Sequence, residues 1–393
     1  MFYLDGPSDT APSKGQAVDF TFTEEQRAAA EAARGVFAGV APDAVPSPAL
    51  TSGAVAEGFD RELWARLAEA DLLSLLLDEA HGGSGLDAIA LCLVLRESAQ
   101  VLARVPLLEH SAAAAAVQTY GGPELAERVL ARAGRGELVL TVAANGRSGH
   151  DLAELAVGAR RDSSAWVLDG VQTAVPWAYD ADLVVVPAQC EGTTVLALVP
   201  RVRDGVVLAE QVSTSGERLA ELRLTSVRVG AGEVIEADGA WEWLHALLAT
   251  GTCALALGLG ERVLRMTAEY TGKREQFGYP IATFQAVAMQ AADRYIDLRA
   301  MEATLWQAAW RIASGAPGTL PAAGDVAVAK IWAAEGVRRV VQTAQHLHGG
   351  FGADTDYPLH RYHAWAKHLE LALGPAAAYE ERLGDLLAAH PLG

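Results

Sequence analysis

At 393 residues the chain is too long for one hydrophobic core, so two or three domains are expected. With 51% hydrophobic and 20% charged residues it reads as globular, and a formal net charge of −18, with Lys and Arg outnumbered 31 to 49, argues against duplex nucleic acid or an anionic membrane as a partner. Any phosphate ligand must be met by a local cluster of donors.

The stretch Met1 to Ala17 lacks the basic flank and apolar run of a signal peptide and reads as a loose, extended arm. No stretch approaches the roughly twenty uninterrupted apolar residues of a membrane span, which leads to the expectation of a cytoplasmic protein. Cys92, Cys190 and Cys253 have no metal-ligand spacing and read as buried small hydrophobes in a reducing compartment. Thr23 can cap a helix that begins with Glu24 and Glu25 and runs to Phe37. Helical periodicity follows in 60–70, 87–102 and 106–120, with a glycine-rich loop at Gly82 to Gly85. From Glu137 the pattern changes to alternating, β-branched runs at Leu138 to Val142, Trp166 to Gly170, Leu183 to Val186 and Thr194 to Val199. Asp169-Gly170 reads as a turn between strands, and Arg218 to Val229 supplies a further strand.

Helix returns after Gly239, with a second apolar stripe on Phe284, Val287, Ala288, Ala291, Tyr295, Leu298, Leu305 and Ile312. Pro317 and Pro321 interrupt it. Two more helices are expected over 323–347 and 358–388, completing an up-and-down four-helix bundle. The fold class is therefore α+β multidomain: an N-terminal helical domain (1–137), a middle β sandwich or small barrel (138–233) and a C-terminal four-helix bundle (234–393).

Two motifs carry the chemistry. Arg274-Glu275-Gln276-Phe277-Gly278 places a guanidinium fork at a helix end, where it suits a pyrophosphate. In Gln345-His346-Leu347-His348-Gly349-Gly350, paired glycines admit a close approach that any Cβ would forbid. Either alone reads equally well as a surface Arg or an ordinary helix-to-helix turn. In this order, between long apolar helices, they resemble the C-terminal bundle of the acyl-CoA dehydrogenase family, and the three-domain order extends the resemblance over nearly the whole chain.

The resemblance implies FAD, an acyl-CoA substrate, and flavin sites built by two subunits each. It implies that Arg274 meets the pyrophosphate, that Gln276 and Phe277 follow it, and that Phe284 and Gln285 open a helix whose positive end faces phosphate. Gln345, Gly349 and Gly350 match the segment beside the neighbour's adenosine. The half that would hold the subunit's own flavin ring is eroded. Ala143-Ala144-Asn145 and Arg147-Ser148-Gly149-His150 replace the family's Thr-Glu-Pro and Gly-Ser-Asp, and Val175-Pro176-Trp177-Ala178 replaces its Trp-Ile-Thr/Ser-Asn.

Counting from Tyr357-Pro358, the catalytic Glu falls on Leu373; the alternative position on the first bundle helix falls at Leu248. Glu370, one turn before Leu373, is the substitute carboxylate. No metal site is expected: His346, His348, His360, His363 and His368 read as surface and loop histidines near an interface.

These matches imply one half of a heteromeric, α2β2 acyl-CoA dehydrogenase that completes the flavin site of a catalytically complete partner subunit. The analogy extends to actinobacterial enzymes acting on steroid side chains. The rivals are a self-sufficient flavoenzyme with an unusual base or oxygenase chemistry, and a flavin-free scaffold subunit.

Overall fold

The computed structural model describes residues 21–149, 151 and 154–391, so the N-terminal arm and His150 lie outside the described residues. The first helical layer comprises α1 (Glu24–Phe37), α2 (Arg61–Glu69), α3 (Ala88–Gln100), α4 (Leu107–Tyr120) and α5 (Pro123–Gly134). Thr23 Oγ1 accepts from the Gln26 amide at 3.2 Å while the Gln26 side chain accepts from the Thr23 amide at 3.0 Å, a closed capping box. The Gln26 amide group also donates to Asp87, the N-cap of α3, so one cap fastens two helices.

The middle of the chain forms β1 (Leu140–Val142), β2 (Val157–Asp162), β3 (Ala165–Val175), β4 (Leu183–Cys190), β5 (Thr193–Pro200), β6 (Val206–Val212), β7 (Arg218–Gly230) and β8 (Val234–Ile235). They join in one sheet of order β6-β7-β3-β2-β4-β5-β8, with β1 added in parallel to β4. Trp166, Leu168, Val184, Val186, Val195, Ala197, Leu222 and Leu224 share one core, so the sheet curls around its own apolar face. Asp169-Gly170 is not a turn. It lies inside β3 at a register shift, where Gly170 has φ 152° and a Cβ would come within 2.3 Å of the Ala156 carbonyl. The glycine is required by that close approach, the extra residue of the register shift lies on β7, and Ser163-Ser164 makes the turn between β2 and β3.

The last region begins with α6 (Ala240–Lys273), followed by a small hairpin of β9 (Glu275–Gln276) and β10 (Tyr279–Pro280), then α7 (Gln285–Ser314), α8 (Ala322–His348), α9 (Leu359–Leu371) and α10 (Ala376–Ala389). The expected helix over 358–388 is two helices. Leu373 (φ 57°) and Gly374 (φ 101°) turn the backbone left-handed ahead of Pro375, the N-cap of α10. Long and apolar enough to cross a membrane, α6 departs from the expectation that no segment qualifies; 83% of its apolar window is instead buried inside the protein. Cys92 and Cys253 are buried, whereas Cys190 at the end of β4 is only half-buried.

Candidate active site

Between α4, the sheet and α6 lies a cavity of about 660 Å³. Its wall collects residues far apart in sequence: Ala144 and Asn145 after β1, Ala174 and Pro176 at the end of β3, Leu248 on α6 and Leu373 in the α9–α10 elbow. The sequence positions assigned to the flavin ring and to both carboxylate positions thus face one space. Most polar groups along its β wall are engaged within the chain. Asn145 Nδ2 donates to the Ala174 carbonyl at 3.0 Å, and Gln211 Oε1 accepts from the Ala174 amide at 2.8 Å. Thr173 Oγ1 meets the Gln211 amide nitrogen at 3.1 Å, and Pro176 has no N–H to offer.

The cavity does hold a carboxyl, but a different one from Glu370. Glu109 on α4 lines it, and Glu109 Oε2 accepts from the Trp177 indole at 3.1 Å. Burial pushes Glu109 up to about 7, partly offset by hydrogen bonds from a backbone amide and the indole. Behind this wall sits Glu217, pushed up to about 8 by burial, with Glu109 adding to the rise. Glu217 Oε2 lies 4.0 Å from His368 Nδ1, and burial holds that histidine down at about 4. The Arg104–Asp43 ion pair and the Ser215 hydroxyl, 3.4 Å from His368, complete the cluster. Sequence reading missed Glu109, although one signal was present: a carboxylate within Leu107-Leu108-Glu109-His110-Ser111-Ala112, a helix with no polar face.

Glu370 is tied to Lys367 Nζ at 2.6 Å and is absent from the described cavity wall. The histidines also differ from expectation, because His348 and His360 are buried. His348 stacks on Tyr270 at 4.3 Å, its Nδ1 is 2.7 Å from the Ala344 carbonyl, and His360 Nδ1 is 2.8 Å from the Tyr357 carbonyl. Aromatic rings of Tyr270 and Tyr357 pack against His348 at the α8 terminus.

The Arg274 region is built differently. Phe277 (φ 56°) and Gly278 (φ 83°) turn the β9–β10 hairpin, which projects so far that Phe277 is 90% exposed. Gln276 is exposed as well, and the Arg274 guanidinium has no hydrogen-bond or ion-pair partner among the described residues. Phe284, edge-on to Phe277 at 6.3 Å, is the N-cap of α7, whose first residue is Gln285. At the end of α8, Gln345 Nε2 donates to the Gly349 carbonyl at 3.0 Å, and a Cβ on Gly349 or Gly350 would meet nothing within 4 Å. Nothing among the described residues excludes a side chain at Gly350.

Comparison with known proteins decides the family. Residues 23–137 match the acyl-CoA dehydrogenase N-terminal domain and residues 247–385 the acyl-CoA dehydrogenase C-terminal domain. Acyl-CoA dehydrogenase FadE27 of Mycobacterium tuberculosis is 39% identical over 338 residues, 85% of this chain and 90% of that protein. The chain belongs to the acyl-CoA dehydrogenase family. Among solved structures, the ChsE4-ChsE5 complex from Mycobacterium tuberculosis contains a chain 37% identical, with a TM-score of 0.85 and coverage of 95% of this chain and 100% of that one. A variant of the Tcur3481-Tcur3483 steroid ACAD matches at 36% identity and TM-score 0.85, covering 93% and 98%.

An acyl-CoA dehydrogenase implies FAD, and the two halves of this chain fit that group unequally. On the ring side Gln211, Asn145 and Trp177 are bonded to their own chain, so this acyl-CoA dehydrogenase does not fit a flavin ring there. The hairpin side fits a pyrophosphate: a guanidinium without a partner among the described residues, and at Gly350 an open face that a Cβ would occupy.

Proposed function

We propose that this chain is the non-catalytic subunit of a heteromeric, FAD-dependent acyl-CoA dehydrogenase that introduces an α,β double bond into a CoA thioester. The observation that carries the reading is the contrast just drawn: leucines at both carboxylate positions beside internally bonded donors, against an unpaired Arg274 on an exposed hairpin. Arg274, Gln276, Phe277, Phe284, Gln285, Gln345, Gly349 and Gly350 serve the adenine and pyrophosphate half of a site whose ring half and base belong to a second, catalytically complete chain. The assembly is α2β2, with one flavin per pair of unlike subunits. Likeness to a steroid ACAD supports a steroid side chain as the acyl class, and three free cysteines suit a cytoplasmic setting.

The test is the flavin-to-protein ratio of the co-purified complex. Half a flavin per chain is expected, and Arg274→Ala should weaken flavin binding roughly 30- to 150-fold while the melt of the complex without added flavin is unchanged. One flavin per chain would support the self-sufficient flavoenzyme, for which Glu109 is the available carboxyl. Flavin content indifferent to Arg274 would leave the scaffold reading.

A further inference from the structure

The cavity that does not fit a flavin ring is nevertheless open, and its volume of about 660 Å³ is that of a small-molecule site. Apolar side chains of Leu108, Val142, Leu219, Leu248, Leu371 and Leu373 form most of its wall. No Lys or Arg stands among its described lining residues, so an anionic ligand would find no counter-charge. Its polar remainder is neutral hydroxyls and amides, Ser148, Thr214, Thr252 and Asn145 among them, together with His368, which burial keeps uncharged near neutral pH. No aromatic face other than the His368 ring stands among those lining residues, which removes the usual cage for an organic cation.

One carboxyl stands among the described lining residues. Glu109 lines the cavity, its Oε2 accepting from the Trp177 indole while a backbone amide also donates to the carboxyl. Glu109 is half-buried in this wall, and the desolvation favours the protonated form of its carboxyl, which is an O–H donor. The fitting complement is an acceptor oxygen on an uncharged, mostly apolar body.

We propose that this cavity is a binding site for a neutral, largely apolar small molecule whose carbonyl or hydroxyl oxygen accepts a hydrogen bond from Glu109. The site lies inside one chain and is separate from the Arg274 hairpin; it rests on the reading that no flavin ring occupies this space, and not on the role of Arg274. It gives the eroded subunit a ligand of its own in place of a cofactor.

The experiment uses the full-length chain and two fluorescent probes of similar size: prodan, a neutral naphthyl ketone, and anilinonaphthalene sulfonate, an anion. Saturable prodan binding with blue-shifted emission is expected, with the sulfonate at least about tenfold weaker. Glu109→Ala should weaken prodan about tenfold, the loss of one hydrogen bond to a half-buried group, while Glu109→Gln, which still donates, should stay within about threefold. Leu248→Trp should abolish binding by filling the cavity, and Leu219→Trp is the second filling variant should the first lose its cooperative melt. Arg274→Ala should leave prodan binding as it was, which separates this test from that of the half-site. No saturable prodan binding by the folded chain, equal binding of the sulfonate, or binding that survives a folded cavity-filling variant would overturn the proposal.

Discussion

Leu373 shows how little a single side chain decides once its surroundings have changed. It sits on the cavity wall at a left-handed backbone position, so Leu373→Glu would return a carboxyl to that space. The variant is nonetheless expected to show no dehydrogenase turnover when the isolated chain is assayed with FAD and a panel of acyl-CoAs, because the donors at Ala174 and Trp177 remain bonded to Gln211 and Glu109. Measurable turnover would mean that those losses are smaller than the geometry suggests. Glu217 allows a second prediction. Its folded value is raised from 4.5 to about 8, so the native state is favoured while the group is protonated, and that contribution is lost as pH rises from about 4.5 through 8. The groups facing it are Glu109, Arg104, Asp43 and His368. Buried histidines such as His110 and His368 push the other way between about 4 and 6.5, stabilising the fold as pH rises. Those histidines act in wild type and in Glu217→Gln alike. The melting temperature of wild type minus that of Glu217→Gln should therefore fall by roughly 5 °C between pH 5 and pH 8. A flat difference would place the Glu217 carboxylate in contact with water or a cation.

Among the elements, α6 does most to position the cavity, because it packs on α3, α4 and α8 while carrying Leu248. Its contact with α3 depends on Gly258, where a Cβ would lie 2.0 Å from the Arg96 carbonyl oxygen. Backbone cannot yield as a flexible side chain does, so Gly258→Ala should destabilise the protein by about 3 kcal/mol, seen as a lower melting temperature with unchanged far-ultraviolet dichroism at low temperature. The α9–α10 elbow has its own support. Lys330 on α8, fully buried, donates from Nζ to the carbonyls of Leu369 and Glu370 at 3.4 Å and of Gly374 at 3.1 Å. Three carbonyls at a helix end thus share one ammonium, which places Leu373 against the cavity.

For the whole molecule, the distribution of apolar surface matters more than its amount. The first part of α7 and the hairpin before it leave Phe277 at 90%, Tyr279 at 64%, Met289 at 59%, Tyr295 at 56% and Ile296 at 63% exposure. A run of this kind on one side of a folded chain marks an association surface. On the heteromeric reading proposed above, Met289→Asp with Ile296→Asp should therefore abolish co-purification with the proposed partner subunit while leaving the melt of the isolated chain within a few degrees, since neither side chain is in the core. Retention of the complex would move the interface elsewhere.

The sequence by itself determined the order of helices, strands and helices, because the switch from period 3.6 to period 2 and back is a local property of side-chain placement. The resemblance to the family assigned Ala144, Asn145, Pro176, Leu248 and Leu373 to one site, and in the fold they line one cavity. Tertiary structure alone decided the rest. Asp169-Gly170 has the composition of a turn, but it runs through β3 in register with β2 and at a register shift against β7, with the Ala156 carbonyl too close for a Cβ. Val157–Asp162, which ends in Arg160, Arg161 and Asp162, became a strand through pairing with β3, and Val206–Val212, apolar in its first four residues but too short to stand alone, through pairing with β7. Glu109 and Glu217 are far apart in sequence, and only the packing of α4 against the sheet buries Glu217, half-buries Glu109 and lets Glu109 raise the proton affinity of Glu217. Burial and long-range electrostatics are properties of a packed interior, and periodicity along a chain does not encode which interior a residue will enter.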